Sequence, residues 1–117
     1  MTRALALVAL SLSTLAAGPL VAQEKIGTVQ RGVYVCEVPG DAAQKASMTM
    51  PEAGFRIRSG SRYVSPQGDG FYLRRGDRMM MTSGPHNGDV YRVEQDGLLR
   101  RMAGEEPTRL RCIRRSR

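Results

Sequence analysis

From Gly32 to the C-terminus, apolar and polar residues alternate in short runs cut by turn-forming residues. "GVYVCEV" (Gly32–Val38) is β-branched and aromatic and stops at Pro39-Gly40. "FRIRS" (Phe55–Ser59) alternates apolar and basic side chains with the two-residue period of a half-buried strand. "RYVS" leads into "PQGDG" (Pro66–Gly70), and "FYLRR" ends at Gly76-Asp77. "RMMMTS", "DVYRVE", "LLRRM" and "TRLRCIRR" follow, separated by "GPHNG", "QDG" and "AGEEP". Strand-sized runs with turn signals every ten residues or so predict an all-β domain. The connections are short enough to favour sequential antiparallel pairing. The expected fold is a small antiparallel meander, a barrel or barrel-like sandwich of about 7–8 short strands. One segment reads otherwise. "DAAQKAS" (Asp41–Ser47) has an Asp N-cap candidate followed by helix formers, and predicts one short helix or a loop before Pro51 and Gly54.

Alternation also assigns faces. Tyr34, Cys36 and Val38 share one side of the first long strand, and Val33 and Val35 share the other. Phe55 with Ile57, Tyr91 with Val93, and Leu110 with Cys112 are expected to point inward. If both cysteines face the core, the first and last strands lie side by side, and the sheet closes or nearly closes. Closure removes exposed edges that would otherwise recruit other chains.

Residues 1–22 read as a secretory signal peptide. Arg3 gives a positive start, Ala4–Leu15 is uncharged and mostly apolar, small residues follow, and Gln23-Glu24-Lys25 opens a polar region. Cleavage fits best after Ala22, and the apolar run is shorter than the ~20 residues needed to span a bilayer. Residues 23–117 then form a single β domain, periplasmic or secreted. In that compartment the two cysteines, Cys36 and Cys112, predict one disulfide. There is no C-x-x-C, so the pair reads as structural rather than redox-active.

Charge refines this picture. The chain holds 18 Lys and Arg against 11 Asp and Glu, a formal net charge of +7. The excess lies mostly in the second half, and the tail "RLRCIRRSR" alone supplies Arg109, Arg111, Arg114, Arg115 and Arg117. These are the candidate anion-binding residues, because a basic exported protein attracts lipopolysaccharide, phospholipid headgroups or extracellular nucleic acid. The alternative is a solvated basic tail. Tyr72 and Arg74, on one face of "FYLRR", are a candidate exposed stacking patch. The competing reading is an ordinary half-exposed strand face.

Catalysis is not expected. The only histidine, His86, sits in the turn "SGPHNG". There is no nucleophile elbow, no zinc-protease motif and no phosphate-binding glycine loop. The aspartates stand beside glycines in bends, where backbone geometry accounts for them. No cofactor or metal is expected. Met48 with Met50, and Met79 to Met81, have the same-face spacing that soft Cu(I) would use, but methionine is also an ordinary gap-filler in small cores.

Two resemblances add expectations. "SGSRY" followed by "GFYLRRGD", between an early and a late cysteine, resembles the periplasmic inhibitors of c-type lysozyme. That resemblance implies an eight-stranded barrel with a terminal disulfide and a loop offered to a hydrolase cleft. Ser59, Ser61, Arg62 and Tyr63 would lie at the contact, with Gly76 and Asp77 shaping the next turn. The chain lacks tryptophan, unlike that family, and its positive charge would repel a cationic lysozyme. "IGTVQRGVYVCEVPGDA", the "YLRRGDRMMMTSGP" block and "RLRCIRR" resemble short exported alphaproteobacterial proteins of uncharacterised role, some designated elongation factor P. That designation implies a three-barrel ribosome-binding factor. This chain has room for one barrel, and no residue is carried over. The sequence thus predicts a non-enzymatic binding or envelope-associated protein. Its partner would be a periplasmic protein, as for a hydrolase inhibitor, or an anionic envelope polymer.

Overall fold

The computed structural model describes residues 25–40 and 47–117, together with Ala9 and Ser11. Its strands are β1 (Ile26–Gly27), β2 (Gly32–Pro39), β3 (Ser47–Thr49), β4 (Phe55–Arg58), β5 (Arg62–Ser65), β6 (Gly68–Arg75), β7 (Arg78–Met81), β8 (Val90–Gln95), β9 (Leu98–Ala103) and β10 (Glu106–Ser116). A 3-10 turn, Pro51–Ala53, precedes β4. β2 and β4 to β10 pair in succession, all antiparallel, and β10 returns to β2, so eight strands form a closed meander barrel. The two short strands extend it. β1 lies beside the end of β6 where β5 has stopped, and β3 lies beside the end of β2 where β4 has stopped. Backbone groups that an unequal strand length would leave bare are thereby paired.

The closing seam carries the disulfide. Cys36 and Cys112 are directly opposite in the β2–β10 register and joined across 76 positions of sequence. Both are fully buried. Tyr34, Cys36, Phe55, Ile57, Tyr91 and Cys112 point inward as the alternation predicts, and Val93 and Leu110 are partly buried against them. Val38, near the end of β2, is only half-buried.

All four tyrosines lie in the interior, where each ring fills volume and three hydroxyls find named partners. The Tyr34 hydroxyl donates to the Gln30 carbonyl (2.6 Å), and the Tyr72 hydroxyl accepts from the Val29 N–H (3.0 Å). Together they hold segment 28–30, whose Val29 is buried, against the core. Tyr63 spans the β5–β6 hairpin toward the β7–β8 loop. Its hydroxyl donates to the Ser83 carbonyl (2.7 Å) and accepts from the His86 N–H (3.0 Å). A Cβ on Gly70, its cross-strand partner, would stand 2.6 Å from that hydroxyl and closer still to the Ser83 carbonyl. Gly70 is therefore a strand glycine that makes room for a tyrosine.

Several expectations change. "PQGDG" is not wholly a bend: the turn is Pro66-Gln67, and Gly68–Gly70 belong to β6. β1 and β3 are strands that the alternation does not predict. The helix-or-loop assignment for Asp41–Ser47 lies outside the described residues except at Ser47, which opens β3. The signal-peptide reading of 1–22 likewise lies outside them, but for Ala9 and Ser11. Met79 and Met81 fill the core, whereas Met48, opposite the half-buried Val38 on the short β3, and Met50 and Met80 are exposed.

Candidate functional site

Period-two alternation on β4 sends Phe55 and Ile57 into the core and Arg56 and Arg58 outward. The hairpin register then sets Arg58 directly opposite Arg62, with Phe71 directly opposite Arg62 on the next strand. Gly32 pairs with Ile57, so Arg31, one residue earlier, comes beside Arg58. Closure of β10 on β2 adds the end of the chain: Arg114 Nε donates to the Arg31 carbonyl (2.6 Å). Arg31, Arg56, Arg58, Arg62, Arg114 and Arg117 consequently border one trough of about 490 Å³, floored by Gly32 and Ile57. The trough depends on Gly32. A Cβ there would collide with the Ser116 carbonyl and the Arg114 guanidinium arm, and its φ of 144° suits glycine.

Most of the other described arginines have a carboxylate partner. Arg78 pairs with Glu105 (3.1 Å), Arg92 and Arg100 with Glu94 (3.3 and 3.0 Å), Arg101 with Asp89 (3.0 Å), and Arg111 with Glu37 (2.9 Å). Hydrogen bonds from Arg100 and then Arg92 hold the Glu94 carboxyl below its ordinary range. Among the described residues, none of the six trough arginines has a carboxylate within ion-pair distance. The ion pairs lie mainly on β7–β10, with Arg111 and Arg115 reaching Glu37 on β2, while the trough arginines make a cationic band over β4 and β5; outside the trough, Arg74, Arg75 and Arg109 also have no carboxylate within ion-pair distance among the described residues. Like charges directly opposite on neighbouring strands are destabilising, so the Arg58–Arg62 pairing costs something unless an anion is bound between them.

The predicted site residues distribute across this arrangement. Ser59, exposed, and Arg62 border the trough. Ser61 sits in the three-residue β4–β5 turn with φ 57°, a left-handed conformation that costs a non-glycine residue about 1 kcal/mol. Tyr63 and Tyr72 are not surface residues: both are buried, so the stacking patch of Tyr72 with Arg74 is corrected. On β6 the face of Tyr72 is the inner one. Arg74 shares it only because it stands near the strand's end, where its side chain escapes to the Gly76 and Thr28 carbonyls (both 2.8 Å). Phe71 and Leu73 are the exposed members, 52% and 36%.

The C-terminal arginines do not form one patch. Arg109 donates to the Pro39 carbonyl (2.7 Å), Arg111 holds the buried Glu37, and Arg115 approaches the same carboxylate at 3.9 Å. Only Arg114 and Arg117 reach the trough. The sequence reading does not single out Arg31, Arg56 and Arg58; the outward parity of "FRIR" marks two of them.

His86 is half-buried in the β7–β8 loop. Its Nδ1 faces Asp89 Oδ2 and its Nε2 faces Gln67 Oε1, each at 3.1 Å, while the ring stands edge-on to Tyr63. It joins the β5–β6 turn to the β7–β8 loop. No protein-family model, curated protein or solved structure matches this chain.

Proposed function

We propose that this protein is an exported, non-enzymatic binding module whose ligand is a multiply charged anionic component of the cell envelope, held in the arginine trough. The observation that carries the reading is the segregation of charge. Six arginines share one depression with no carboxylate partner among the described residues, while arginines on the opposite wall are paired. Guanidinium groups present forked N–H donors that match phosphate, sulfate and carboxylate oxygens. The cationic band also steers a polyanion toward the same face.

The test is binding of polyphosphate as a function of salt. Neutralising six arginines along a flexible polyanion gives a slope of log K against log salt of about −4. Charge reversal at Arg58 and Arg62 weakens binding at least tenfold, and reversal at the ion-paired Arg78 changes it little. Salt-independent binding, or equal effects of the two changes, would overturn the reading.

A second reading keeps the same rim. The Ser59–Ser61 turn, with Ser59 exposed and Ser61 left-handed, stands where the resemblance to lysozyme inhibitors puts the loop offered to a hydrolase cleft. It predicts inhibition of a lysozyme at micromolar protein; no inhibition at that concentration removes it.

A further inference from the structure

Arg56 borders two depressions at once. On one side is the arginine trough. On the other is a groove of about 410 Å³ between β2, β3, β4 and β5. The outward side chains Val33, Val35 and Val64 form its wall, and Met50, Pro51 and Pro66 form its rim. Val33 and Val64 flank Arg56 directly in the strand register. Among the described residues, Arg56 is the only charged one along the groove, and it marks the boundary with the cationic trough. Met50 is 40% exposed beside it. Each depression is within the size range of small-ligand sites. An anion-binding trough and an apolar groove that meet at one arginine match a ligand with a charged head and a hydrocarbon tail.

We propose that the ligand is an anionic lipid: its phosphate-bearing head lies among Arg31, Arg58, Arg62 and Arg114, and one acyl chain passes Arg56 into the Val33–Val35–Val64 groove. This rests on the anion-binding reading above and narrows it to an amphiphile. The tail contributes by leaving water, which distinguishes it from a soluble polyanion. A chain buried along its length gains affinity of up to about fourfold per methylene. The head supplies the salt-sensitive part of the affinity.

Titration of residues 23–117 with hexyl, octyl, decyl and dodecyl phosphate separates the two parts. Each alkyl phosphate is kept below its micellar concentration and compared with inorganic polyphosphate. The expected result is affinity rising at least twofold per methylene, with dodecyl maltoside, which has no charge, binding at least tenfold more weakly than dodecyl phosphate. Val35→Thr with Val64→Thr keeps the β-branched shape and flattens the chain-length dependence while leaving polyphosphate binding within twofold. Arg58→Gln lowers the affinity of every chain length by a similar factor.

Polyphosphate binding with no chain-length dependence overturns the lipid proposal and leaves the polyanion reading standing. A chain-length dependence that the valine changes do not alter places the tail elsewhere and also overturns it. Failure of both polyphosphate and alkyl phosphates to bind removes both. The chain-length series uses the unmodified protein, so a flat series overturns the lipid proposal even if a variant fails to fold.

Discussion

Reducing the Cys36–Cys112 bond removes no side chain and changes little of the folded core, so its effect reports mainly on the unfolded chain. The bond closes 76 positions of sequence into one loop. In the chain-entropy treatment that constraint contributes about 4.5 kcal/mol at 25 °C. A domain of this size has a total stability of about 5–15 kcal/mol. The β2–β10 seam is also where the entropic cost concentrates, since it joins the most distant strands, whereas every other barrel pairing is between near neighbours in sequence. Urea unfolding of the oxidised and reduced protein measures the difference. With a denaturant slope of about 1–2 kcal/mol per molar, the midpoint falls by about 2–4 M. Amide exchange gives a local readout: on reduction, protection at Val35 and Ile113, which pair across the seam, falls more than at Arg56 and Val64. A stability difference below about 1 kcal/mol, with seam amides unchanged, would refute the reasoning. It would show that β2 and β10 stay together in the unfolded ensemble without the covalent link.

Other consequences follow from the tyrosine-filled interior. Gly70→Ala forces a Cβ into the Ser83 carbonyl and the Tyr63 ring, and destabilises by about 1–3 kcal/mol in a thermal melt; an unchanged melting temperature contradicts the close packing. Tyr63→Phe strands the His86 N–H and the Ser83 carbonyl, and costs about 1–3 kcal/mol by urea unfolding. Burial pushes the Tyr34 and Tyr91 hydroxyls up to about 12. Because the unfolded hydroxyls ionise near 10, their contribution is complete below that pH and is lost as pH rises through 12. Alkaline titration followed by tyrosinate absorbance therefore gives a cooperative unfolding step between pH 10 and 12; smooth titration near 10 for all tyrosines contradicts it.

The barrel was legible because its physics is local. Each β-branched or aromatic run fills one strand, and Gly, Pro, Asn and Asp supply the turns. Closure followed from the cysteines once both were placed on inward faces. Where the reading failed, a local signal had two explanations. Gly68–Gly70 read as a bend, but Gly70 is the space under Tyr63, a cross-strand fact that no local window contains. Parity puts Tyr72 and Arg74 on one face but does not say which face is outward, and a residue near a strand end can share the inner parity and still reach the rim. The site was less legible than the fold. Its arginines come from three separated stretches, and only strand register and barrel closure place Arg114 and Arg117 beside Arg31, Arg56, Arg58 and Arg62. Charge counting found the basic tail but could not show that Arg111 is occupied with Glu37.

The most direct test of the arginine trough is the side-chain Nε–H spectrum of the arginines during titration with polyphosphate. The account predicts that the signals of Arg31, Arg56, Arg58, Arg62 and Arg114 move together and saturate, while those of Arg78, Arg92 and Arg100 stay in place. Movement centred on Arg109, Arg111 and Arg115, or small uniform shifts over all arginines, would contradict it.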